Sequence, residues 1–318
     1  MQLHAERGVD AVLEEARRAD QQGFDSVWLS DHIMATNGQH KADGPLDLFV
    51  LMTAIAAVTQ RTRLAWASLN VTLRPPLLFA KMLTTLDVIS HGRVICSFGS
   101  GWNKEEWTAY NLPLIDDHDE RAEYAREFIT LFKQLCAHPA PELTSFDGKF
   151  IQVRDLPFNP EPVQKPHPPI WIGGESAPTM QTAMQLCDGW MALSAGGNRE
   201  KLAEVLSDPD WPKTRPMDVV KGGRIVVRRT RDEALRVAEA EYEAAKAVTP
   251  QFVAPTFGDF LAREVVGTPD ECLERIAEVQ SWGVNYIRLA VPSAESQDAI
   301  AELLLPRLGE TRQPAKSR

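Results

Sequence analysis

The stretch Ile170-Trp-Ile-Gly-Gly-Glu-Ser176 is a short apolar run that ends in glycines and polar residues, just before a helical pattern begins. Three other phrases of the same kind are spread through the chain. Glycines and polar residues at the carboxyl ends of successive parallel strands are typical of the active-site mouth of an α/β barrel. The sequence therefore predicts an α/β fold of the (β/α)8 TIM-barrel class. The other phrases are Ser30-Asp31-His32, Phe98-Gly-Ser-Gly-Trp102 and Asp188-Gly-Trp190.

Short β-prone runs alternate with amphipathic helical patterns and form seven clear strand–helix units, with one of the later strands placed at 223–229. The first strand of a barrel is the weak point, because Met1-Gln-Leu-His-Ala5 is a poor strand sequence. Either this pentapeptide closes the barrel, or the true start of the chain lies upstream. A doubly wound open sheet is an alternative, although it would leave a raw edge and its usual G-x-G-x-x-G turn is absent.

The pattern predicts a single barrel domain over residues 1–318, with three departures from the regular alternation. Residues 142–166 contain a hairpin signal followed by prolines and are predicted to be an insertion. Residues 249–264, rich in Phe, Pro and Gly, are a candidate lid. The basic tail at 309–318 is expected to fray.

Composition and charge narrow the class of protein. The formal charge is −10 and there is no basic stripe, which argues against a nucleic acid partner. The longest near-apolar run, 46–58, is too short to cross a bilayer, so we expect no membrane association. The four cysteines form no C-x-x-C pair and the histidines are scattered, so we expect core thiols in a reducing cytoplasm and no metal site.

His32 and Asp31 are the first candidate catalytic residues. A histidine at a strand end can move a proton at neutral pH, and a neighbouring carboxylate can fix its tautomer. Adjacent residues on an extended strand point to opposite faces, however, so Asp31 and His32 need not touch. Glu105 and Glu106 are weaker candidates, because nothing nearby predicts their burial.

Two glycine-containing turns are candidate ligand contacts. The turn at 99–102 lets the backbone approach a ligand, although an ordinary tight turn would explain it equally well. The turn at 173–179 opens a helix whose first amide groups are unpaired, which is typical of a phosphate site. A simple serine cap is the alternative for this second turn. The candidate residues are Gly99, Ser100, Gly101, Trp102, Gly173, Gly174, Glu175, Ser176 and Thr179.

Five tryptophans at or near strand ends are candidates to sandwich a flat ring, with ordinary core packing as the more common explanation. They are Trp28, Trp66, Trp102, Trp171 and Trp190.

Taken together, the ordered phrases resemble the bacterial-luciferase-like family of flavin and deazaflavin oxidoreductases. The resemblance extends from Gly8 to about Val291, and its specificity lies in the order of the whole set. The matching phrases include Gly23-Phe-Asp-Ser-Val-Trp-Leu-Ser-Asp-His32, Leu69-Asn-Val-Thr-Leu-Arg-Pro75, Thr85-Leu-Asp-Val-Ile-Ser-His-Gly-Arg93, Gly99-Ser-Gly-Trp-Asn103, Pro168-Pro-Ile-Trp-Ile-Gly-Gly174 and Val266-Gly-Thr-Pro269.

The resemblance implies a (β/α)8 barrel with a redox ring at its carboxyl mouth. It implies that His32 lies beside the ring as an acid/base or substrate-orienting group, and that 173–179 binds the cofactor phosphate. It further implies a non-proline cis peptide at Ala67–Ser68 that shapes the seat of the ring, and cofactor contacts from Ala67, Ser68 and Asn70.

The phrases resemble the branch of the family that uses coenzyme F420 more than the FMN monooxygenases. The expected activity is hydride transfer between F420 and a small organic substrate. The alternatives are an FMN-dependent monooxygenase supplied by a partner flavin reductase and using O2, and a non-catalytic flavin-binding member. A homodimer is expected by the same resemblance, and the substrate is expected to contact the loop at 38–44. A carbohydrate-acting barrel is disfavoured, since no carboxylate pair is well placed.

Overall fold

The computed structural model describes residues 1–34, 46–192, 198–213, 215–248 and 253–311. Parallel strands alternate with helices through most of the described chain, as the sequence pattern predicts. The strands are β1 (Ser26–Leu29), β2 (Arg63–Trp66), β3 (Leu69–Asn70), β4 (Cys96–Gly99), β5 (Leu143–Asp147), β6 (Gln152–Pro157), β7 (Ile170–Gly173), β8 (Gly189–Ala192), β9 (Asp218–Gly223), β10 (Ile225–Val227), β11 (Val265–Gly267) and β12 (Tyr286–Leu289).

The helices cover the outside of the strands. Asp47 caps one of them by accepting hydrogen bonds from the backbone of Phe49 and Val50 at 3.0 and 2.8 Å, which stabilises a helix by about 1 kcal/mol. The helices are α1 (Val9–Gln22), α2 (Leu48–Val58), α3 (Pro76–Ile89), α4 (Lys104–Ala109), α5 (His118–Ala137), α6 (Ala177–Leu186), α7 (Arg199–Leu206), α8 (Arg231–Val248), α9 (Phe257–Arg263), α10 (Pro269–Ser281), α11 (Ala294–Leu303) and α12 (Leu305–Thr311).

The strands form a ring. A six-stranded parallel sheet has the order β12-β9-β8-β7-β4-β3, and β1 pairs with β2 in a separate parallel ladder. Single bridges join these two sheets: Leu64 with Val94 on one side, and Gln2 with both Trp28 and Ala290 on the other. The amino-terminal pentapeptide therefore supplies the eighth segment of a TIM-barrel arrangement, although it is too short to form a ladder.

One predicted strand is misplaced. The sequence pattern favours 223–229, but the ring strand is β9 at Asp218–Gly223, which pairs with β8 and β12. Lys221, Gly222 and Gly223 resemble a turn in the sequence and conceal the end of this strand. In the part of the chain that the structure describes, the following β10 pairs with β11 alone, in a small parallel ladder.

Aromatic side chains fill the inside of the ring below its mouth. Trp28, Trp171 and Tyr286 contact one another, with ring centroids 5.0–6.2 Å apart. Ala65, Ile95, Met191 and Val220 complete this inner cluster. Aromatic groups of this size contribute strongly to core stability, so the interior is a packed floor rather than a channel.

The departures from regular alternation are visible where the structure describes them. β5 and β6 form an antiparallel hairpin inside the predicted insertion. Within the candidate lid, α9 packs Phe260 against Tyr242, while 249–252 lie outside the described residues. α12 continues to Thr311, two residues past the predicted start of the frayed tail, and 312–318 lie outside the described residues. The four cysteines are buried free thiols, as expected, and among the described residues no helix is long and apolar enough to cross a membrane.

Candidate active site

A histidine–carboxylate pair lies at the mouth of the ring. Nδ1 of His32, just after β1, is 3.1 Å from both carboxylate oxygens of Glu106 in α4. Glu106 Oε1 also accepts hydrogen bonds from the backbone N–H groups of Ile33 and Met34, at 2.9 and 3.3 Å. A carboxylate only accepts, so Nδ1 carries the hydrogen and Nε2 is the nitrogen left for proton exchange.

Burial distinguishes the two partners. The Glu106 side chain is 1% exposed, whereas 24% of the His32 side chain is exposed. The glutamate is therefore fixed behind the histidine, and the histidine faces the opening. Sequence reasoning ranked Glu106 low because its burial was not visible; its place in the first turn after a glycine loop was the available signal.

Asp31 does not contact His32. Its carboxylate accepts two hydrogen bonds from the guanidinium of Arg74, at 2.7 and 2.9 Å, and one from the backbone N–H of Asn70, at 2.9 Å. Burial alone would lower the pKa of Arg74, but the hydrogen bond and charge of Asp31 raise it above its ordinary value. The carboxylate that orients His32 is Glu106, and Asp31 instead anchors the segment after β3.

The peptide bond Ala67–Ser68 is cis, at the position that the family resemblance implies. Ser68 packs against two glycines on neighbouring strands. A Cβ on Gly99 would lie 2.9 Å from Ser68 Cβ, and one on Gly173 would lie 3.0 Å from Ser68 Oγ. These glycines therefore let the ends of β2, β4 and β7 come together at one place.

The turn at 99–102 places an aromatic ring beside the histidine. Gly101 has φ +79°, and a Cβ there would lie 2.6 Å from the ring of Trp107 and 2.5 Å from Asn70 Nδ2. This tight turn presents Trp102, which is 58% exposed, with its ring centroid 5.6 Å from that of His32. The other four tryptophans singled out in the sequence are fully buried: Trp28, Trp66, Trp171 and Trp190. Of these five, Trp102 alone is therefore available to contact a ligand at the mouth.

The turn at 173–179 opens α6 at the same end of the ring. Gly174 has φ +131°, and its carbonyl accepts a hydrogen bond from Trp190 Nε1 at 2.8 Å. The hydroxyls of Ser176 and Thr179 are 2.9 Å apart, and Ser176 makes no side-chain cap to the helix backbone. The first amide groups of α6 therefore remain uncapped, which suits an anion. Glu175 is exposed beside them.

The structure thus brings His32, the cis peptide and both glycine turns to the carboxyl end of the parallel strands. The loop at 38–44, expected to contact substrate, lies outside the described residues. Among the described residues there is also no cluster of three or more potential metal ligands.

The family model for luciferase-like monooxygenases matches residues 1–286. The chain belongs to this family. An FMNH2-dependent dimethylsulfone monooxygenase from Pseudomonas putida is 28% identical over 307 residues, covering 88% of this chain and 82% of the relative. Pyrimidine monooxygenase RutA from a Bradyrhizobium species is 31% identical over 236 residues, covering 72% of this chain and 63% of that relative. The crystal structure of monooxygenase RslO1 from Streptomyces bottropensis has a TM-score of 0.77 at 26% identity and covers 96% of each chain.

Membership of the luciferase-like family confirms the resemblance inferred from the ordered phrases. These relatives and solved structures also confirm the TIM-barrel fold class, and the chain is an oxidoreductase of the luciferase-like kind.

Proposed function

We propose that this protein is a flavin monooxygenase that takes reduced FMN from a separate reductase and uses O2 to oxidise a small organic substrate. The relatives named as monooxygenases support this proposal, and one of them is named as FMNH2-dependent. They favour FMN, the alternative cofactor, over coenzyme F420, which the sequence phrases alone favoured.

The residues present fit such a cofactor. Gly99 and Gly173 leave room for the Ser68 side chain, so the Ala67–Ser68 peptide can sit at the strand ends, where a planar ring would lie. The uncapped start of α6, with the hydroxyls of Ser176 and Thr179, offers donors for one phosphate group.

When bound, reduced FMN supplies the two electrons that let one oxygen atom of O2 enter the substrate while the other leaves as water. His32 would give or take a proton through Nε2. Glu106 would hold the imidazole in the required tautomer and orientation. Trp102 would cover the opening beside His32 and limit the access of water.

The observation that carries the proposal is that the His32–Glu106 pair, the cis peptide Ala67–Ser68 and the uncapped start of α6 lie at the same end of the strand ring. The test supplies purified protein with NADH, a flavin reductase, FMN and ¹⁸O2, with dimethyl sulfone and uracil as first substrates. We expect one ¹⁸O atom in the product. His32→Ala should keep FMN affinity within twofold and lose at least 99% of turnover, and unchanged turnover would refute the role of His32.

The same preparation separates the remaining alternatives. Titration with FMN and with F420, followed by quenching of tryptophan fluorescence, distinguishes an FMN enzyme from the F420-dependent hydride transfer first expected. Binding of FMN without oxygen uptake on any substrate would instead favour a non-catalytic family member. The homodimer and the cytoplasmic location remain predictions, tested by light scattering and by cell fractionation.

A further inference from the structure

A guanidinium lies inside the ring, directly above the aromatic floor. Side chains two positions apart on a strand point to the same face. Tyr286 belongs to the inner cluster, so Arg288 on β12 also points inward; by the same argument Gly222 on β9 follows the inward Val220. A Cβ on Gly222 would lie 3.2 Å from Nη2 of Arg288, so the glycine provides the space that the guanidinium occupies.

Arg288 has a neutral partner in the described structure. Its Nη1 donates a hydrogen bond to Gln2 Oε1 at 2.9 Å. Within the described residues no carboxylate lies at ion-pair distance from it, and burial lowers its pKa below the ordinary value. Arg288 is half-buried, and a partly desolvated cation whose described partner is neutral is a candidate to bind an anionic ligand.

Arg288 lines a cavity of about 380 Å³ that begins at Ala67 and extends toward β9 and β12. Among the described residues, two other charged residues line it: Arg224 and Glu264. Glu264 is already occupied, because it accepts a hydrogen bond from the Arg224 backbone at 2.5 Å and lies 3.9 Å from Lys221 Nζ. The described lining therefore carries two cations, Arg224 and Arg288, against one carboxylate that already has partners.

We propose that Arg288 binds an oxyanionic group of the substrate, a carboxylate or a sulfonate. The rest of the substrate is thereby directed toward Ala67, beside the place where the flavin ring would lie. This inference rests on the proposed function and adds the substrate class to it. Gln2 holds the guanidinium plane, which leaves its other N–H groups to bind two oxygens in parallel. Arg224 adds positive charge along the same wall.

The test compares probes of similar shape and different charge by calorimetry on flavin-free and FMN-loaded protein. Methanesulfonate is matched with dimethyl sulfone, and acetate with acetone. The variants are Arg288→Met, Arg288→Lys and Gly222→Ala. The last of these places a methyl group against the guanidinium of Arg288 and leaves the charge of the arginine unchanged. Arg154→Met is the control, because Arg154 is an exposed arginine in the insertion hairpin.

We expect the wild type to bind at least one of the two anions at least tenfold more tightly than its neutral partner, and the tighter anion identifies the substrate group. Arg288→Met should abolish this preference, Gly222→Ala should weaken it, and Arg288→Lys should keep part of it. Arg154→Met should match the wild type, and FMN affinity should stay within twofold throughout.

Equal affinity of the wild type for charged and neutral probes would overturn the proposal, as would an anion preference that survives in Arg288→Met. Loss of FMN affinity without loss of anion affinity would assign Arg288 to the cofactor and also overturn it. If Arg288→Met does not fold, Arg288→Lys and Gly222→Ala decide, and an anion preference unchanged in both overturns the proposal. Since anion binding is read without flavin, failure to bind FMN would refute the proposed function separately.

Discussion

Replacing Glu106 by Gln should reverse the tautomer of His32. The amide oxygen can keep the hydrogen bonds from Ile33 and Met34, which Glu106 Oε1 accepts at 2.9 and 3.3 Å. The NH2 group then faces Nδ1 of His32 in place of a carboxylate oxygen 3.1 Å away. An NH2 group only donates and would oppose a hydrogen on Nδ1, so although the retained oxygen also lies 3.1 Å from Nδ1, we expect the hydrogen to move to Nε2 and Nδ1 to accept from the NH2 group.

The expected losses follow from this exchange. A hydrogen bond to a charged group is replaced by one between neutral groups, so unfolding free energy should fall by about 1–1.5 kcal/mol. Turnover should fall by about 10²–10⁴-fold, the usual contribution of a positioned acid or base. At 1.36 kcal/mol per tenfold, this corresponds to about 3–5 kcal/mol of barrier. The affinity for FMN should not change, because Glu106 is screened from the opening by His32.

The primary assay needs no substrate. ¹⁵N-histidine NMR distinguishes the two imidazole tautomers, and His32→Gln assigns the signal. The wild type should show Nδ1–H and Glu106→Gln should show Nε2–H. Glu105→Gln makes the same change on an exposed neighbour and should resemble the wild type in tautomer, stability and turnover. An unchanged tautomer in Glu106→Gln, or turnover within threefold of the wild type, would refute the reasoning.

Three further changes probe the framework of the site. Gly101→Ala should lower unfolding free energy in urea by about 1–3 kcal/mol more than Gly23→Ala, because both have positive φ but only Gly101 lacks room for a Cβ; equal losses would contradict this. Asp31→Asn should destabilise by about 3 kcal/mol, because Arg74 then keeps only the exposed Asp47 carboxylate, 3.4 Å away, and a loss below 1 kcal/mol would be inconsistent with a buried pair. Burial would raise the pKa of Asp20, but three backbone N–H groups lower it overall. Its stabilisation is therefore complete above about pH 4 and lost as the pH falls through the depressed value; Asp20→Asn should remove about 1–3 kcal/mol at pH 7 and flatten the acid limb of the stability curve.

Most strands of the barrel could be predicted from local patterns in the sequence. Strand ends such as Gly99 and Gly173 are recognisable because a buried apolar run stops at a glycine before a helix. The strand at Asp218–Gly223 was missed because its last three residues look like a turn, and only pairing with both neighbours makes them a strand.

The site was harder to predict because its key contacts join distant segments. His32 and Glu106 are 74 positions apart, and Arg288 meets Gln2 across 286 positions. No spacing rule connects such pairs, and charge alone does not reveal which acid is buried. For Asp31 the sequence left open whether it contacts His32, and the structure shows that its carboxylate is hydrogen-bonded to Arg74 instead.

Gln2 lies where the strand ring is joined by single bridges, and it also contacts the arginine proposed to bind substrate. Its backbone bridges β1 to β12, while its side chain steadies the guanidinium that faces the cavity. A change that displaces the amino-terminal residues would therefore open the strand ring between β1 and β12, and it would also remove the hydrogen bond that holds Arg288. A substitution of Gln2 is therefore expected to affect both the closure of the strand ring and the binding of an anionic substrate.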